Sequence, residues 1–154
     1  RQNLPVIDRS KFKSTENVKK GAYVLAYGDE NATEKCEVIL IATGSEVHLA
    51  LTAREQLLTL GIKARVVSAP CLEWFLQQPI SYQEQVLPKK IRARVSIEAG
   101  IAQSWYQFIG DAGVPVSLEH FGASASASVL FKEFGFTVEN VVKAAKESIS
   151  KAHG

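Results

Sequence analysis

The chain has 154 residues, an ordinary length for one domain and enough to bury a core without disulfides or a structural metal. Its net charge of +2 and its scattered lysines and arginines exclude the strongly basic surface that dedicated nucleic-acid binders carry. The apolar runs are too short to span a membrane and no signal peptide is present, so we expect a soluble, cytoplasmic protein.

The two cysteines, Cys36 and Cys71, are far apart in the sequence, which indicates free thiols in a reducing compartment. Neither belongs to a CxxC pair or to a cluster of His and Cys residues, so the sequence predicts no metal site. The chain begins with Arg1 and contains no methionine. We therefore expect it to be part of a longer protein, produced by proteolysis or by deliberate truncation.

Residues 1–20 are polar and irregular, which indicates a linker that enters a single folded domain formed by residues 21–154. Five apolar segments rich in β-branched residues are predicted to be buried strands: 22–27, 38–43, 63–68, 94–98 and 116–120. Helices are predicted between most of them and at the end of the chain: 46–60, 82–86, 103–109, 125–134 and 138–150.

Four residues are predicted to set the ends of these helices. Ser45 is placed to cap the first long helix, and Gly61 to end it. Gly135 can adopt the left-handed conformation that ends the helix over 125–134, and Thr137 can cap the last helix. The junction between the two C-terminal helices is therefore expected at residues 135–137.

Strands that alternate with helices predict a mostly parallel sheet covered by helices on both faces. The connection from the first strand to the second is different, because residues 28–37 are few and show no helical pattern. So short a connection cannot make a parallel crossover between neighbouring strands. We therefore predict that the first strand runs antiparallel to the others and lies at an edge.

Candidate binding residues lie where the predicted strands end. At Gly44 and Ser45, main-chain N–H groups and the dipole of the following helix can hold an anion. Neither a GxGxxG nor a GxxxxGK[ST] motif is present there, so a plain capped turn is the alternative. Glu98 and Glu119 are the candidate carboxylates, because ligands of open α/β sheets gather at the carboxyl ends of the strands. Capping or ion pairing is the alternative for both.

The remaining reactive or aromatic side chains are predicted to be structural. The three histidines are His48, His120 and His153. None has a Ser, Cys or Asp at a spacing that indicates a catalytic triad. Cys71 is predicted to pack as a small apolar residue. The aromatic pairs Trp74-Phe75 and Trp105-Tyr106 are predicted to pack in the core or at a domain interface.

Seven segments, in order along nearly the whole chain, together resemble the transketolase family. They are residues 1–5 (RQNLP), 39–47 (ILIATGSEV), 64–68 (ARVVS), 86–88 (VLP), 98–100 (EAG), 121–125 (FGASA) and 134–137 (FGFT). The combination of RQNLP, ATGSEV and FGASA is specific within the thiamine-diphosphate enzymes. The family often has proline after FGASA where this chain has Ser126, and a helix start accepts either residue.

The resemblance implies the C-terminal domain of a transketolase, an enzyme that transfers a two-carbon ketol unit between ketose and aldose phosphates in the pentose phosphate pathway. It implies a homodimer that uses thiamine diphosphate and Mg²⁺ or Ca²⁺, with the cofactor and metal held by two upstream domains and not by this one. The implied fold is a three-layer α/β/α sandwich around a five-stranded mixed sheet whose first strand is antiparallel.

One functional residue carries over from the resemblance. The arginine of the RQNLP motif contacts the phosphate of the sugar substrate in the family, and in this chain that arginine is Arg1. A guanidinium group suits this role because it can donate two parallel hydrogen bonds to phosphate oxygens.

Three hypotheses about function follow. In the first, the chain is a transketolase domain that is inactive alone. In the second, it is a stand-alone regulatory module that binds a small anion or nucleotide near Gly44, Ser45 and Glu98. In the third, it has a structural role and supports the packing of the subunits, which would leave considerable apolar surface on the isolated domain.

Overall fold

The computed structural model describes residues 4–8, 10–12, 14–28 and 36–154. One sheet is formed by the strands β1 (Tyr23–Ala26), β2 (Val38–Ala42), β3 (Ala64–Ser68), β4 (Arg94–Ile97) and β5 (Val114–Val116). The α-helices are α1 (Glu46–Thr59), α2 (Leu72–Leu76), α3 (Ile80–Val86), α4 (Tyr106–Ile109), α5 (Ala127–Glu133) and α6 (Val138–His153). Two 3₁₀-helices span Thr15–Lys20 and Ala102–Trp105.

The strands lie side by side in the order β1-β3-β2-β4-β5. β1 pairs with β3 in antiparallel orientation, and every other pair is parallel. The predicted antiparallel first strand at an edge is therefore confirmed. The short connection from β1 to β2 is long enough because the antiparallel β1 finishes at the end of the sheet where β2 begins. No crossover helix along the sheet is therefore needed.

The sheet is covered on both faces, which confirms the three-layer α/β/α sandwich. All five residues of β2 are buried. Leu40 and its neighbours on one face of the sheet belong to an apolar cluster with α1 and α6. Ile39 and Ile41 on the other face belong to a second cluster with Phe75 and Trp105. This burial on both faces explains why the strand sequences are almost continuously apolar.

The predicted ends of three helices are confirmed. Gly61 and Gly135 both have the left-handed backbone that favours glycine, with φ of +78° and +79°. The main chain beyond each glycine bonds back across the last helical turn, as in a Schellman ending. The hydroxyl of Thr137 accepts a hydrogen bond from Asn140 N at 3.3 Å and so caps α6.

The predicted bounds of the last strand were wrong. The strand was expected over residues 116–120, whereas β5 ends at Val116 and contains Pro115. Proline cannot donate to the hydrogen-bond ladder, but an edge strand tolerates it on its open side. Beyond the strand, Leu118 N donates to Gly100 O, so the chain turns to the loop after β4 instead of extending the sheet.

Two short helices were not predicted. α2 has five residues, and the 3₁₀-helix Thr15–Lys20 lies in the segment that was expected to be a linker. A single helical turn is too short to show a 3.6-residue apolar period, so this signal is absent for both. The boundary predicted between linker and domain at residue 20 stays a prediction. Within the described part of the chain, no helix combines the length and the apolar character that a membrane crossing requires.

Candidate functional site

The topology creates a crevice at the carboxyl ends of β2 and β4. The connection after β2 leads to β3, and the connection after β4 leads to β5 on the opposite side of the sheet. Loops that leave two adjacent strands in opposite directions separate from one another, and open α/β sheets bind ligands at such points. We call this cavity of about 400 Å³ the switch-point crevice. It is lined by Thr43, Ala69, Pro70, Cys71, Leu72, Glu73, Glu98, Gly100, Ile101, Ser104 and Trp105.

The turn between β2 and α1 carries a buried carboxylate. Ser45 occupies the predicted N-cap position before α1, but it has helical backbone angles (φ −67°, ψ −26°) and its side chain makes no capping bond. A capping serine needs extended backbone angles to direct its oxygen at the helix N–H groups. Ser45 Oγ donates instead to Glu46 Oε1 at 2.9 Å. Glu46 is only 4% exposed, and its negative charge lies in the first turn of α1, where the helix dipole favours it.

Glu98 lies at the end of β4 and borders the switch-point crevice. Partial burial raises the pKa of its carboxyl group above the ordinary value, and the negative charge of Glu46 raises it further. Gly100 leaves room for this side chain, because a Cβ at Gly100 would lie 3.3 Å from Glu98 Cγ. The structure therefore places two carboxylates at the same edge of the sheet. Glu98 was predicted as a candidate, and Glu46 was missed.

Glu119, the second predicted carboxylate, has a capping role. Its Oε1 accepts hydrogen bonds from Ala102 N at 2.9 Å and from Ser117 Oγ at 2.7 Å. The Ser117 bond, followed by the Ala102 bond, lowers the pKa of the Glu119 carboxyl group. This carboxylate thus holds the start of the 3₁₀-helix Ala102–Trp105, which was one of the alternatives left open by the sequence.

The cysteine and histidine candidates do not converge on one site. Cys71 lies in the wall of the crevice, and its thiol donates to Glu73 Oε2 at 3.4 Å. His48 lies in the first turns of α1. His120 Nδ1 contacts the carbonyl oxygen of Phe121 at 2.8 Å, and His153 Nδ1 contacts that of Ile149 at 2.9 Å. Among the residues that the structure describes, no three His, Cys, Asp or Glu side chains group as a metal ion would require.

The two aromatic pairs are each divided between core and surface. Phe75 and Trp105 are buried and belong to the cluster beneath α2 and α4. Trp74 and Tyr106 are 52% and 57% exposed. Adjacent residues of a short helix point in different directions, so one member of each pair packs inward and the other faces outward.

The crevice has the wrong charge for an anion. The predicted anion site at Gly44 and Ser45 stays a prediction, but the carboxylates of Glu46 and Glu98 lie beside it and would repel a negative ligand. The sequence does contain a signal for Glu46. It lies in the first turn of a predicted helix, where the positive end of the helix dipole stabilises a negative charge. Arg1, the predicted phosphate contact, lies outside the described residues.

We expect Glu98→Gln to stabilise the chain at neutral pH. The pKa of Glu98 is raised in the folded state, so the native protein favours the protonated carboxyl group. Protonation of Glu98 therefore stabilises the folded state, and this stabilisation is lost as pH rises through the folded-state pKa. An amide avoids this loss, with an expected gain of up to about 1 kcal/mol at pH 7 because the carboxyl group is only partly buried. Urea unfolding between pH 3.5 and 8 measures the difference, which should disappear in acid.

Glu119→Gln is the matched control and should show the opposite sign. The pKa of Glu119 is lowered in the folded state, so its ionised form contributes stability above the unfolded-state pKa that is lost as pH falls. A Glu98→Gln variant that is less stable than the original chain at pH 7 would contradict the electrostatic account of the crevice.

The fold defines the chain as a three-layer α/β/α sandwich domain, and its sequence matches a known family of such domains. Residues 21–137 match the family model described as the transketolase-like TK C-terminal domain. The transketolase of Mycobacterium leprae is 49% identical over 147 residues, which are 96% of this chain and 21% of that protein. Transketolase 1 of Escherichia coli is 49% identical over 147 residues, with the same coverage of 96% and 21%.

The fold of this chain is also similar to that of a transketolase whose structure has been solved. The transketolase of Pichia stipitis in complex with sedoheptulose 7-phosphate superposes with a TM-score of 0.84 at 36% identity. The match covers 97% of this chain and 20% of that one. The chain therefore belongs to the transketolase family, and it corresponds to the C-terminal domain. It spans about a fifth of the length of the relatives it matches, and a stand-alone binding module is not supported.

Proposed function

We propose that this chain serves as the C-terminal domain of a transketolase that transfers a two-carbon ketol unit between sugar phosphates of the pentose phosphate pathway. The observation that carries the proposal is the match to transketolases at about half identity over almost the whole chain. In this proposal the parent enzyme is a cytoplasmic homodimer that uses thiamine diphosphate with Mg²⁺ or Ca²⁺. The chain itself contributes packing and one contact to the substrate phosphate, through Arg1.

The cofactor and its metal are assigned to other domains of the parent. Thiamine diphosphate supplies the carbanion chemistry of ketol transfer when it is bound. Within the described ranges of this chain, the acidic, histidine and cysteine side chains do not group into a site that fits the metal of the diphosphate. We therefore assign no step of the reaction to residues of this chain beyond the binding of the substrate phosphate.

Packing against the rest of the parent is supported by the apolar side chains that the domain exposes. Phe121 is 99% exposed, Ile80 is 70% exposed and Ile101 is 56% exposed. Trp74 and Tyr106 add two half-exposed aromatic side chains on the layer of α2 and α4. Exposed aromatic and aliphatic side chains in this number are typical of a surface that another part of a protein covers. The remaining four fifths of a transketolase chain is the proposed occupant.

A chimera tests the proposed function. The C-terminal region of the Escherichia coli enzyme is replaced by this chain, and ketol transfer is measured with thiamine diphosphate, Mg²⁺ and sugar phosphates. We expect turnover by the chimera and none by the 154-residue chain alone under the same conditions. Turnover by the isolated chain, or a folded dimeric chimera without activity, would contradict the proposal.

Two variants of the chimera test the packing role. Phe121→Asp should weaken assembly or lower activity, because a carboxylate would be buried in an apolar contact. Leu60→Asp is the matched control, since Leu60 is 50% exposed but lies just beyond α1, at the opposite end of the sheet. Equal effects of the two substitutions on dimer mass and activity would reject the proposal that Phe121 packs against the rest of the parent enzyme.

A further inference from the structure

The chain that leads into β1 is attached to the domain by apolar side chains. We call the described residues between positions 4 and 20 the N-terminal strap. The side chains of Ile7 and Phe12 are half-buried and pack against the apolar cluster of α1 and α6. Phe12 also lines a cavity of about 550 Å³ together with Leu25 of β1. These two side chains hold the strap on the domain, because release would return them to water.

A turn at Asp8 connects the two apolar anchors. Asp8 Oδ1 accepts hydrogen bonds from Ser10 N at 2.9 Å and from Ser10 Oγ at 2.6 Å. The carbonyl oxygen of Asp8 accepts hydrogen bonds from Lys11 N at 3.2 Å and Phe12 N at 3.1 Å. An aspartate that bonds to the main chain two residues further on stabilises such a turn. The turn allows Ile7 and Phe12 to reach the same apolar cluster.

The second half of the strap contacts the opposite face of the sheet. Ser14 Oγ accepts a hydrogen bond from Glu16 N at 3.2 Å and so caps the 3₁₀-helix Thr15–Lys20. This helix contacts β1 and α2. Phe75 of α2 belongs to the cluster that lies across the sheet from α1 and α6. The strap therefore passes around the edge of the sheet that β1 forms.

The docked strap limits how far Arg1 can lie from the domain. Arg1 itself lies outside the described residues. It is six residues before Ile7, and six extended residues span at most about 20 Å. If residues 1–20 formed a free linker, Arg1 could lie as much as about 70 Å from the start of the domain. Docking through Ile7 and Phe12 therefore removes most of the volume that the chain at Arg1 could otherwise sample.

We propose that the N-terminal strap positions Arg1 for the substrate phosphate, with Phe12 as its main anchor and Asp8 as the residue that shapes its turn. This inference rests on the proposed function, in which Arg1 contacts that phosphate. Phe12 and Asp8 are positioning residues, because they act only through the placement of Arg1. A guanidinium group that is held less firmly loses its alignment with the phosphate oxygens. A donor without a phosphate is insensitive to this loss.

Hydrogen exchange of the 154-residue chain tests whether the strap is docked, and this test does not depend on enzyme activity. Lys11 N is bonded to Asp8 O, and Gly21 N is bonded to Val18 O. We expect both amides to exchange at least about tenfold more slowly than in an unstructured peptide. Phe12→Ala should abolish the protection of Lys11 and leave that of α6 unchanged. Exchange of Lys11 at the unstructured rate in the original chain would overturn the proposal.

Phe12→Ala in the chimera tests the positioning role. We expect the KM for a phosphorylated ketose donor to rise by about 3- to 10-fold, with little change in kcat or in the KM for an unphosphorylated donor. The rise should be smaller than that after Arg1→Ala, because the guanidinium group is still present. Phe12→Leu should restore the KM to within about twofold, since leucine fills much of the same apolar space.

Phe131→Ala is the matched control. Phe131 is also a half-buried phenylalanine packed against the same cluster, but it belongs to α5. A general loss of packing would appear in both variants, so Phe131→Ala should leave the ratio of the two KM values unchanged. Asp8→Ala is the second test if Phe12→Ala does not fold, and it should raise the KM for the phosphorylated donor by about 2- to 5-fold, because the turn loses its acceptor.

The kinetic outcomes separate this inference from the proposed function. Equal changes in both KM values after Phe12→Ala, or the same selective rise after Phe131→Ala, would overturn the positioning role. Unchanged KM values in both Phe12→Ala and Asp8→Ala would also overturn it. A chimera that is folded but inactive with both donors would instead reject the proposed function on which the role rests.

Discussion

Replacing Gly21 with alanine should destabilise the chain by about 2–5 kcal/mol. Gly21 has φ of +83°, where a non-glycine residue costs about 1–2 kcal/mol. A Cβ at this position would lie 2.3 Å from both Cys71 O and Phe75 N, and 2.8 Å from Trp74 C. These are main-chain atoms at the start of α2, which cannot move aside as a flexible side chain can. The clash therefore adds a packing penalty of about 1–3 kcal/mol.

Gly61→Ala is the matched control for this prediction. Gly61 has nearly the same backbone angle, with φ of +78°, but apart from its own chain neighbours no atom of the described residues lies within 4 Å of the position that a Cβ would occupy there. Only the conformational cost of about 1–2 kcal/mol should therefore remain. Urea unfolding of the two variants measures the difference, and equal losses would show that the contact between Gly21 and α2 does not restrict the site.

The position of Gly21 also bears on the switch-point crevice. Gly21 O accepts a hydrogen bond from Cys71 N at 3.0 Å, and Cys71 lines the crevice. The segment that enters β1 is thus bonded to the loop that follows β3. Because a larger residue at position 21 would push this loop away, Gly21→Ala should alter the crevice as well as lower stability.

Arg1→Ala in the chimera should raise the KM for a phosphorylated ketose donor by about 10- to 100-fold. The proposed contact is a charge-assisted hydrogen bond from the guanidinium group to the substrate phosphate, and such a bond contributes about 1.5–3 kcal/mol. A donor without a phosphate cannot make this contact, so its KM should change little. Steady-state kinetics with both donors measures the effect as a difference between substrates.

Arg92→Ala is the control for the loss of an arginine elsewhere. Arg92 is exposed and pairs with Asp111 at 2.6 Å, and an exposed pair of this kind contributes little to stability. It should leave the KM for both donors unchanged. Equal losses for the phosphorylated and unphosphorylated donors after Arg1→Ala would reject the role assigned to Arg1.

The order and direction of the strands could be predicted in part from local patterns. A continuous apolar strand such as β2 indicates burial on both faces, and a connection without a helix indicates an antiparallel neighbour. Short elements escaped the same reasoning, because α2 contains only five residues. The last strand was predicted too far along the chain. Pro115 argues against a strand unless the strand is already known to lie at the edge of the sheet.

The candidate site was only partly predictable, for a related reason. The rule that ligands gather at strand ends identified Glu98, which borders the crevice, and equally Glu119, which caps a 3₁₀-helix. The two residues look alike in the sequence, since each lies at the end of a predicted strand. Their difference depends on which N–H and hydroxyl groups approach each carboxylate from distant parts of the chain.

The sequence by itself determined the family, the layered α/β class and the antiparallel first strand, because these depend on motifs and on periodicities within one segment. The tertiary structure alone brought Glu46 beside Glu98, and it left Arg65 Nε buried without a hydrogen-bond partner among the described residues. These features arise from residues far apart in the chain. Charge and desolvation act over distances in space, which local sequence patterns do not record.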